Sequence, residues 1–410
     1  MNASEKLSAG LKSLPNKVSS FASTQAAWRF YANDSVTLSK LQNPLTEAAE
    51  EGIKTNCTDY ALCIHDWSRL HFKHANKTDT YAITHEKDVG YDLQTSLIVS
   101  DQTGQPIAPV AQRLVSANGS YATYGEKERN AEVKNHLDEV GDCIEHLEKQ
   151  GFAKPLVHLI DREADSVFHL RHLDHNQRLW VIRINDNPYL DYDGTQTKTK
   201  AIADELEFVK TREVLYHGKT YWQWVAEADV TLTRPAKPSQ KKGKKSAIPG
   251  EPVSAKMVVS RVLSEDGKVL AQWLILTNLK QVKAATIALW YYWRWQIESF
   301  FKLLKSAGHQ LESWQQESAL AIAKRLLVVS MACVTVWQIA ADNTKETQEL
   351  KQFLIKLSGR QMRHQHEFSN PALLAGLWVF LSMFEIMNSY SPEQLDSFNT
   401  TAQRFLGKLV

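Results

Sequence analysis

Apolar and polar residues alternate along "DYALCIHDWSRLHF", and the same two-residue rhythm returns in "YDLQTSLIVSD" and "PIAPVAQRLVSA". Turn signals at Asp88-Val89-Gly90 and Gln102-Thr103-Gly104 separate the three stretches, which predicts an antiparallel trio of strands. The spacing turns helical in "NAEVKNHLDEVGDCIEHLEKQ". It then reads as a short apolar strand in "PLVHLID", a helix in "READSVFHLRHLD" and a strand in "RLWVIRIN". That order of elements predicts an α/β layer fold. Upstream, "STQAAWRFYAN" and "VTLSKLQNPLTEAAEEG" flank a turn at Asn33-Asp34-Ser35 and read as a small helical module. Downstream, "YWQWVAEADVTLT" and "AKMVVSRVLS" are strand-like and interrupt the α/β pattern, and the strand "VLAQWLILTN" closes the interruption. An apolar helix follows over residues 317–341, residues 345–410 read as helical, and no internal repeat is visible. The predicted divisions are 1–55, 56–186, 187–277, 278–345 and 346–410.

With 410 residues, 43% of them hydrophobic, the chain has material for two or three domains and a large core. The net charge of +2 excludes a general polycation, so any nucleic-acid surface must come from local clustering. One such cluster is "RPAKPSQKKGKKSAIPG", in which Arg234, Lys237, Lys241, Lys242, Lys244 and Lys245 stand without an acid. It suits a solvated loop, and equally a loop that contacts phosphates by releasing counterions. Cys57, Cys63, Cys143 and Cys333 form no CxxC pair and no zinc-ligand spacing, so reduced structural thiols are expected. The opening "MNASEKLSAGLKSLPNKVSS" lacks the apolar centre of a signal peptide. The longest apolar run, "RLLVVSMACVTVWQIAA", is short for a membrane span. A soluble, cytosolic protein without a membrane partner is the expectation.

Candidate chemistry concentrates in "WYYWRWQIESFFKLLKS", Trp290 to Ser306, read as one helix. Tyr291, Arg294, Glu298 and Lys305 fall within an arc of about 60° on such a helix. Trp290, Trp293, Ile297, Phe300, Phe301 and Leu304 form a broad neighbouring face suited to a core. The polar stripe also suits an ordinary wet face with Arg294 and Glu298 as an i,i+4 pair. Two further acids change its meaning. Asp66 sits within the first strand, and Asp161 closes "LVHLI", at the strand end where ligands gather in an α/β sheet. Either alone reads equally as a cap or turn residue. Brought together, the three carboxylates repel, and a divalent cation of the Mg²⁺ or Mn²⁺ kind relieves that repulsion. Two such ions about 4 Å apart suit attack at a phosphodiester. Arg294 and Lys305 would then hold phosphates, with Tyr291 as a hydroxyl donor or stacking surface.

The pattern Tyr291-x2-Arg294-x3-Glu298-x6-Lys305 resembles the Y-R-E-K signature of the insertion-sequence-4 family of DDE transposases, the family of the bacterial Tn-five and Tn-ten elements. "LIDREADSVFHL" and "LCIHDWSRL" are similar to the stretches bearing that family's two catalytic aspartates, with Trp67 where family members often have a small polar residue. "AAWRFYANDSV" resembles its end-binding module, and the β-rich insertion with a basic loop also matches. The resemblance covers residues 20–345 or so. It implies a ribonuclease-H-like mixed sheet flanked by helices, and Asp66, Asp161 and Glu298 as catalytic metal ligands. It implies cleavage of transposon ends, joining to target DNA, and work as a homodimer on double-stranded DNA in the bacterial cytoplasm, with the C-terminal helices mediating dimerisation. In one branch the reaction passes through a hairpin and a flipped base stacked on a tryptophan, for which Trp273 is the matching residue. Arg183 resembles a cation that contacts the transposon end. Two other readings stay open: a DNA-binding regulator that does not cut, and a nuclease of the same fold without strand transfer.

Overall fold

The computed structural model describes residues 19–72, 77–125, 127–236, 247–362 and 367–406. They divide into two compact units. The larger holds residues 37–301 with 317–319; the other holds the described residues up to Val36, 302–316 and those from 320 onward.

The larger unit is built on one mixed sheet of fourteen strands. Its centre is β1 (Ala61–His71), which pairs antiparallel with β3 (Val89–Ser100), itself antiparallel to β4 (Pro106–Ser116). The alternating stretches of the sequence thus become a meander, with the two-residue β2 (Tyr81–Ala82) beside β3 and the short β5 (Gly119–Ala122) and β6 (Arg129–Asn130) at the outer edge. On its other side β1 pairs parallel with β7 (Leu156–Ile160), and β7 pairs parallel with β8 (Leu179–Ile184). β7 and β8 are mostly buried, as their short apolar runs demand.

The strands of the interruption prolong the same sheet. β14 (Val269–Thr277) lies antiparallel to β8, and beyond it run β13 (Val253–Leu263), β12 (Lys219–Leu232), β9 (Tyr189–Tyr192) and β10 (Thr195–Lys198). β11 (Val209–Tyr216) pairs with β12 as a hairpin.

Helices clothe both faces. α1 (Ser19–Ala32) belongs to the second unit, and α2 (Leu38–Asn56), the first helix of the larger one, begins where the Thr37 hydroxyl accepts the Lys40 amide. α2 buries Leu38, Leu45, Ala49 and Ile53 and ties itself to β4 by Gln42 Nε2 donating to the Pro109 carbonyl. On the opposite face α3 (His136–Glu148), α4 (Val167–His175) and α5 (Thr199–Glu205) send Val140, Ile144, Leu170 and Ile202 into one core with Trp180, Ile182, Met257 and Leu276. Odd-numbered residues of β1, such as Trp67, face this core, and even-numbered ones face the other side.

Between α5 and the second unit's later helices come α6 (Ala284–Trp293) and α7 (Trp295–Lys302), and the second unit is helical, with α8 (Ala319–Ala341), α9 (Lys345–Ser358), α10 (Asn370–Ser389) and α11 (Pro392–Leu406). One expectation is corrected here. The run "RLLVVSMACVTVWQIAA" belongs to α8, whose 23 residues are long and apolar enough to cross a membrane, as are the 20 of α10. In α8 the apolar stretch is 61% buried inside the protein, as a core helix would be, whereas α10 buries 22% of its own.

Gly90 lets β3 approach β1, because a Cβ at that position would stand 1.8 Å from the Leu70 carbonyl oxygen. Gly90→Ala is therefore expected to lose about 3 kcal/mol of stability, read as a lower urea midpoint at unchanged slope.

Candidate active site

Strand register brings the two aspartates together. β1 and β7 are parallel with His65 opposite Ile160, and one residue further on stand Asp66 and Asp161, still extended (φ −77°, ψ −167° at Asp161) and on the same side of the sheet. Asp161 also caps the single 3₁₀ turn Arg162–Ala164, its Oδ1 accepting the Glu163 amide at 2.8 Å. Capping and a place in the site are therefore both true of this residue.

The third carboxylate arrives on a helix that differs from the sequence expectation. α6 (Ala284–Trp293) ends at Arg294, whose N–H donates to the carbonyls of Tyr291 and Tyr292, and α7 (Trp295–Lys302) restarts at once. A π turn, Leu303–Ala307, follows. The single helix expected from Trp290 to Ser306 is thus three pieces, and the α-helical phase linking Glu298 to Lys305 is not kept. Lys305 falls in the smaller unit, where it pairs with Glu312 at 3.2 Å. Tyr291, expected on an open stripe, is 6% exposed.

Arg294 is the hub. Its Nη1 donates to Asp66 Oδ2 at 2.6 Å and its Nη2 lies 3.9 Å from Glu298 Oε1. Asp161 acts electrostatically on both Arg294 and Tyr291. Burial alone would make the guanidinium easier to deprotonate, but Tyr291, Asp66 and Asp161 hold its pKa above the ordinary value. Burial pushes the Asp66 carboxyl from 3.8 up to about 6, with Glu298 pushing the same way, against the pull of Arg294 and of the Trp67 amide at 2.9 Å. So one positive charge does not fully offset the desolvated carboxylate. Oxygen donors with surplus negative charge are what a hard divalent cation takes, and Asp66, Asp161 and Glu298 would be its holders. The three carboxylates do not all draw within 4.8 Å of one another; among the described residues Cys63, His65 and His158 are the group of possible metal ligands that does.

Beside this cluster lies a cavity of about 770 Å³ on the core side and another of about 610 Å³ on the carboxylate side. The second is lined by Arg183, Trp273, Tyr291 and Arg294, together with Tyr216, His217 and Tyr292. Arg183 and Trp273 share a face because Arg183 pairs with Ile275, two residues from Trp273. Tyr216 meets Trp273 edge-on at 6.5 Å, and Tyr292 donates its hydroxyl to the Leu215 carbonyl. The β11–β12 turn was not singled out in the sequence, where Tyr216-His217-Gly218 shows only as a turn signal; His217 adopts φ 48° there.

Asp161 also has support that the sequence does not disclose. His136 bridges Asp92 (2.7 Å) and Glu163 (2.9 Å), and its ring stacks on Trp67 at 4.6 Å. The bond from Asp92 leads the interactions that raise its pKa, so the imidazolium is favoured and clamps the turn after Asp161. Of the basic stretch, Arg234 pairs with the buried Asp165 at 2.8 Å, whereas Lys241, Lys242, Lys244 and Lys245 lie outside the described residues.

The raised Asp66 pKa has a defined sign. Its folded carboxyl titrates near 6 and its unfolded one near 3.8, so ionisation within that window lowers stability as pH rises, and a bound cation restores it. Manganese is therefore expected to raise the melting temperature above pH 6 and to lose that effect as pH falls through 6. Thermal melts with and without manganese, in the native chain and in Asp66→Asn, measure this; a pH-independent shift would disconnect Asp66 from the ion.

No curated protein matches the chain significantly. Among solved structures it is similar to a piggyBac transposase synaptic complex with hairpin DNA, at 9% identity and a TM-score of 0.38, covering 82% of this chain and 55% of that one. This chain thus spans little more than half the length of that protein, and at that score the likeness says nothing about chemistry. The Transposase DDE domain family matches residues 58–334, well over half the sequence and including Asp66, Asp161 and Glu298. The chain belongs to the DDE transposases.

Proposed function

We propose that the protein cuts DNA at the ends of a mobile element and joins the freed 3′-hydroxyls to target DNA, as a member of the insertion-sequence-4 branch with its Y-R-E-K signature and a ribonuclease-H-like catalytic core. The observation that carries this reading is that Asp66 and Asp161 stand one residue beyond the last paired positions of the parallel strands β1 and β7, with Arg294 reaching from Asp66 toward Glu298. Divalent cations, two of them Mg²⁺ or Mn²⁺, would supply activation of the attacking oxygen and neutralise charge on the leaving one.

The chain's own residues do the rest. Asp66, Asp161 and Glu298 hold the ions. Tyr291 and Arg294 hold a phosphate of the end, and Arg183 extends that contact across the cavity. Trp273 offers a stacking platform for an extruded base, which offsets part of the stacking lost from the duplex and supports a hairpin route. Lys305 and Lys241, Lys242, Lys244 and Lys245 add phosphate contacts, and residues 1–55 bind the end. Two chains, associating through the C-terminal helices in the bacterial cytoplasm, would pair two ends.

Replacing Asp66, Asp161 or Glu298 with Ala should lower cutting of end-bearing DNA by a thousandfold or so while leaving DNA binding close to native. Binding lost in step with cutting would make the carboxylates structural. Binding without cutting by the native chain, over a range of Mg²⁺ and Mn²⁺, would favour a regulator, and nicks without joined products a simple nuclease. Arg183→Ala should reduce the salt slope of binding by about 1, as expected for one phosphate contact. Trp273→Ala should impair hairpin formation more than the first nick; equal losses would give it a packing role.

A further inference from the structure

The face of β1 turned away from the carboxylates carries a second constellation. Cys63 and His65 are two residues apart on β1 and so point the same way, and His158 of β7 stands directly opposite Cys63 in the parallel register. All three are fully buried. One ligand atom from each lies within 4.8 Å of the others. We propose that Cys63, His65 and His158, with Cys143 of α3 as the fourth donor, form a buried tetrahedral site for a transition-metal ion of the zinc class.

Three observations carry it beyond a chance cluster. First, the inner nitrogens of the two imidazoles face each other, His65 Nε2 and His158 Nδ1 being 2.9 Å apart, while both outer nitrogens are held. His65 Nδ1 lies 2.8 Å from Ser96 Oγ, and His158 Nε2 lies 2.9 Å from Glu148 Oε1. Ligating histidines are oriented in just this manner, by a hydroxyl, carbonyl or carboxylate on the far nitrogen. Second, the donors are soft thiols and imidazoles, a set that selects zinc over the hard cations suited to the opposite face. Third, Cys143 stands beside the same hydroxyl that holds His65, its Sγ 3.3 Å from Ser96 Oγ, and it is near enough to Cys63 to act on that thiol electrostatically, so a second thiol borders the group.

The charges and protons balance. The two thiols release two protons as a dication binds, and both imidazoles stay neutral, with the His65 Nδ1–H donating to Ser96 and the His158 Nε2–H to Glu148. Two thiolates and a dication leave no net charge in an interior that penalises one. The competing arrangement is a hydrogen-bonded chain of neutral His158, His65, Ser96 and Cys143 side chains ending on the Glu148 carboxylate, with no ion. Sequence spacing hides the site because His65 and His158 are 93 residues apart. The ion would fasten β1 to β7, the strands that carry Asp66 and Asp161, from behind.

The full-length chain, loaded with zinc and freed of excess by gel filtration, should retain about one zinc, measured by mass spectrometry of the metal. Cobalt in its place should give the intense visible bands of a tetrahedral centre together with a thiolate charge-transfer band. Cys63→Ser combined with His158→Gln should lose the ion, and Asp161→Asn should keep it. Less than a tenth or so of an equivalent in the native chain overturns the proposal. So does retention by the double variant, loss in Asp161→Asn, or a cobalt spectrum lacking the thiolate band. Should the double variant fail to fold, the cobalt spectrum of the native chain decides. Zinc retention is read without DNA, so its outcome is separate from that of the proposed cutting activity.

Discussion

A carboxylate taken out of water beside a second carboxylate is held in place only if positive charge comes close, and Arg294 meets that need at Asp66. Much of the larger unit serves this contact. Parallel pairing of β1 and β7 fixes the two aspartates, burial raises the cost of the Asp66 charge, and the joint between α6 and α7 sets Arg294 between Asp66 and Glu298. The guanidinium stays charged at any ordinary pH, so it can serve as a permanent partner. It cannot supply the second unit of charge that a dication would. Under the proposed function a hard cation would supply that second charge.

Much of the fold was legible because its elements obey simple periods. The alternation in β1, β3 and β4, the short apolar runs of β7 and β8, and the helical spacing of α3 are local properties, and local sequence states them. What failed is long-range or fine-grained. Residues 187–277 read as an interruption, yet β14 hydrogen-bonds to β8 and the sheet runs on without a break. Pairing partners of that kind leave no mark in spacing. The breaks at Arg294 and at Leu303–Ala307 are equally silent, because a change of one hydrogen bond per turn barely disturbs the apolar pattern that buries Ile297, Phe300 and Phe301.

The site divides along the same line. Its candidate acids stand out in the sequence as charges within β1 and at the end of β7. Its supporting residues were not. His136 opens α3, Asp92 lies on β3 and Glu163 on a 3₁₀ turn, and only folding reveals that one imidazole ties the other two and stacks on Trp67. That stack also gives the tryptophan next to Asp66 a use on the core side, where a small polar residue would leave the His136 ring uncovered.

Hydrogen bonding between β8 and β14 has one more consequence. Arg183 and Trp273 belong to the same continuous ladder as the aspartates, so the spacing from aromatic cavity to carboxylates is set by strand separation and residue rise, not by tethers. Hairpin turns at the far side of the sheet can therefore change length freely without altering the gauge of the site. A single-residue slip of β14 against β8 is another matter: it would turn Trp273 through the sheet to the opposite face, leaving the composition of the cavity wall changed and every turn intact.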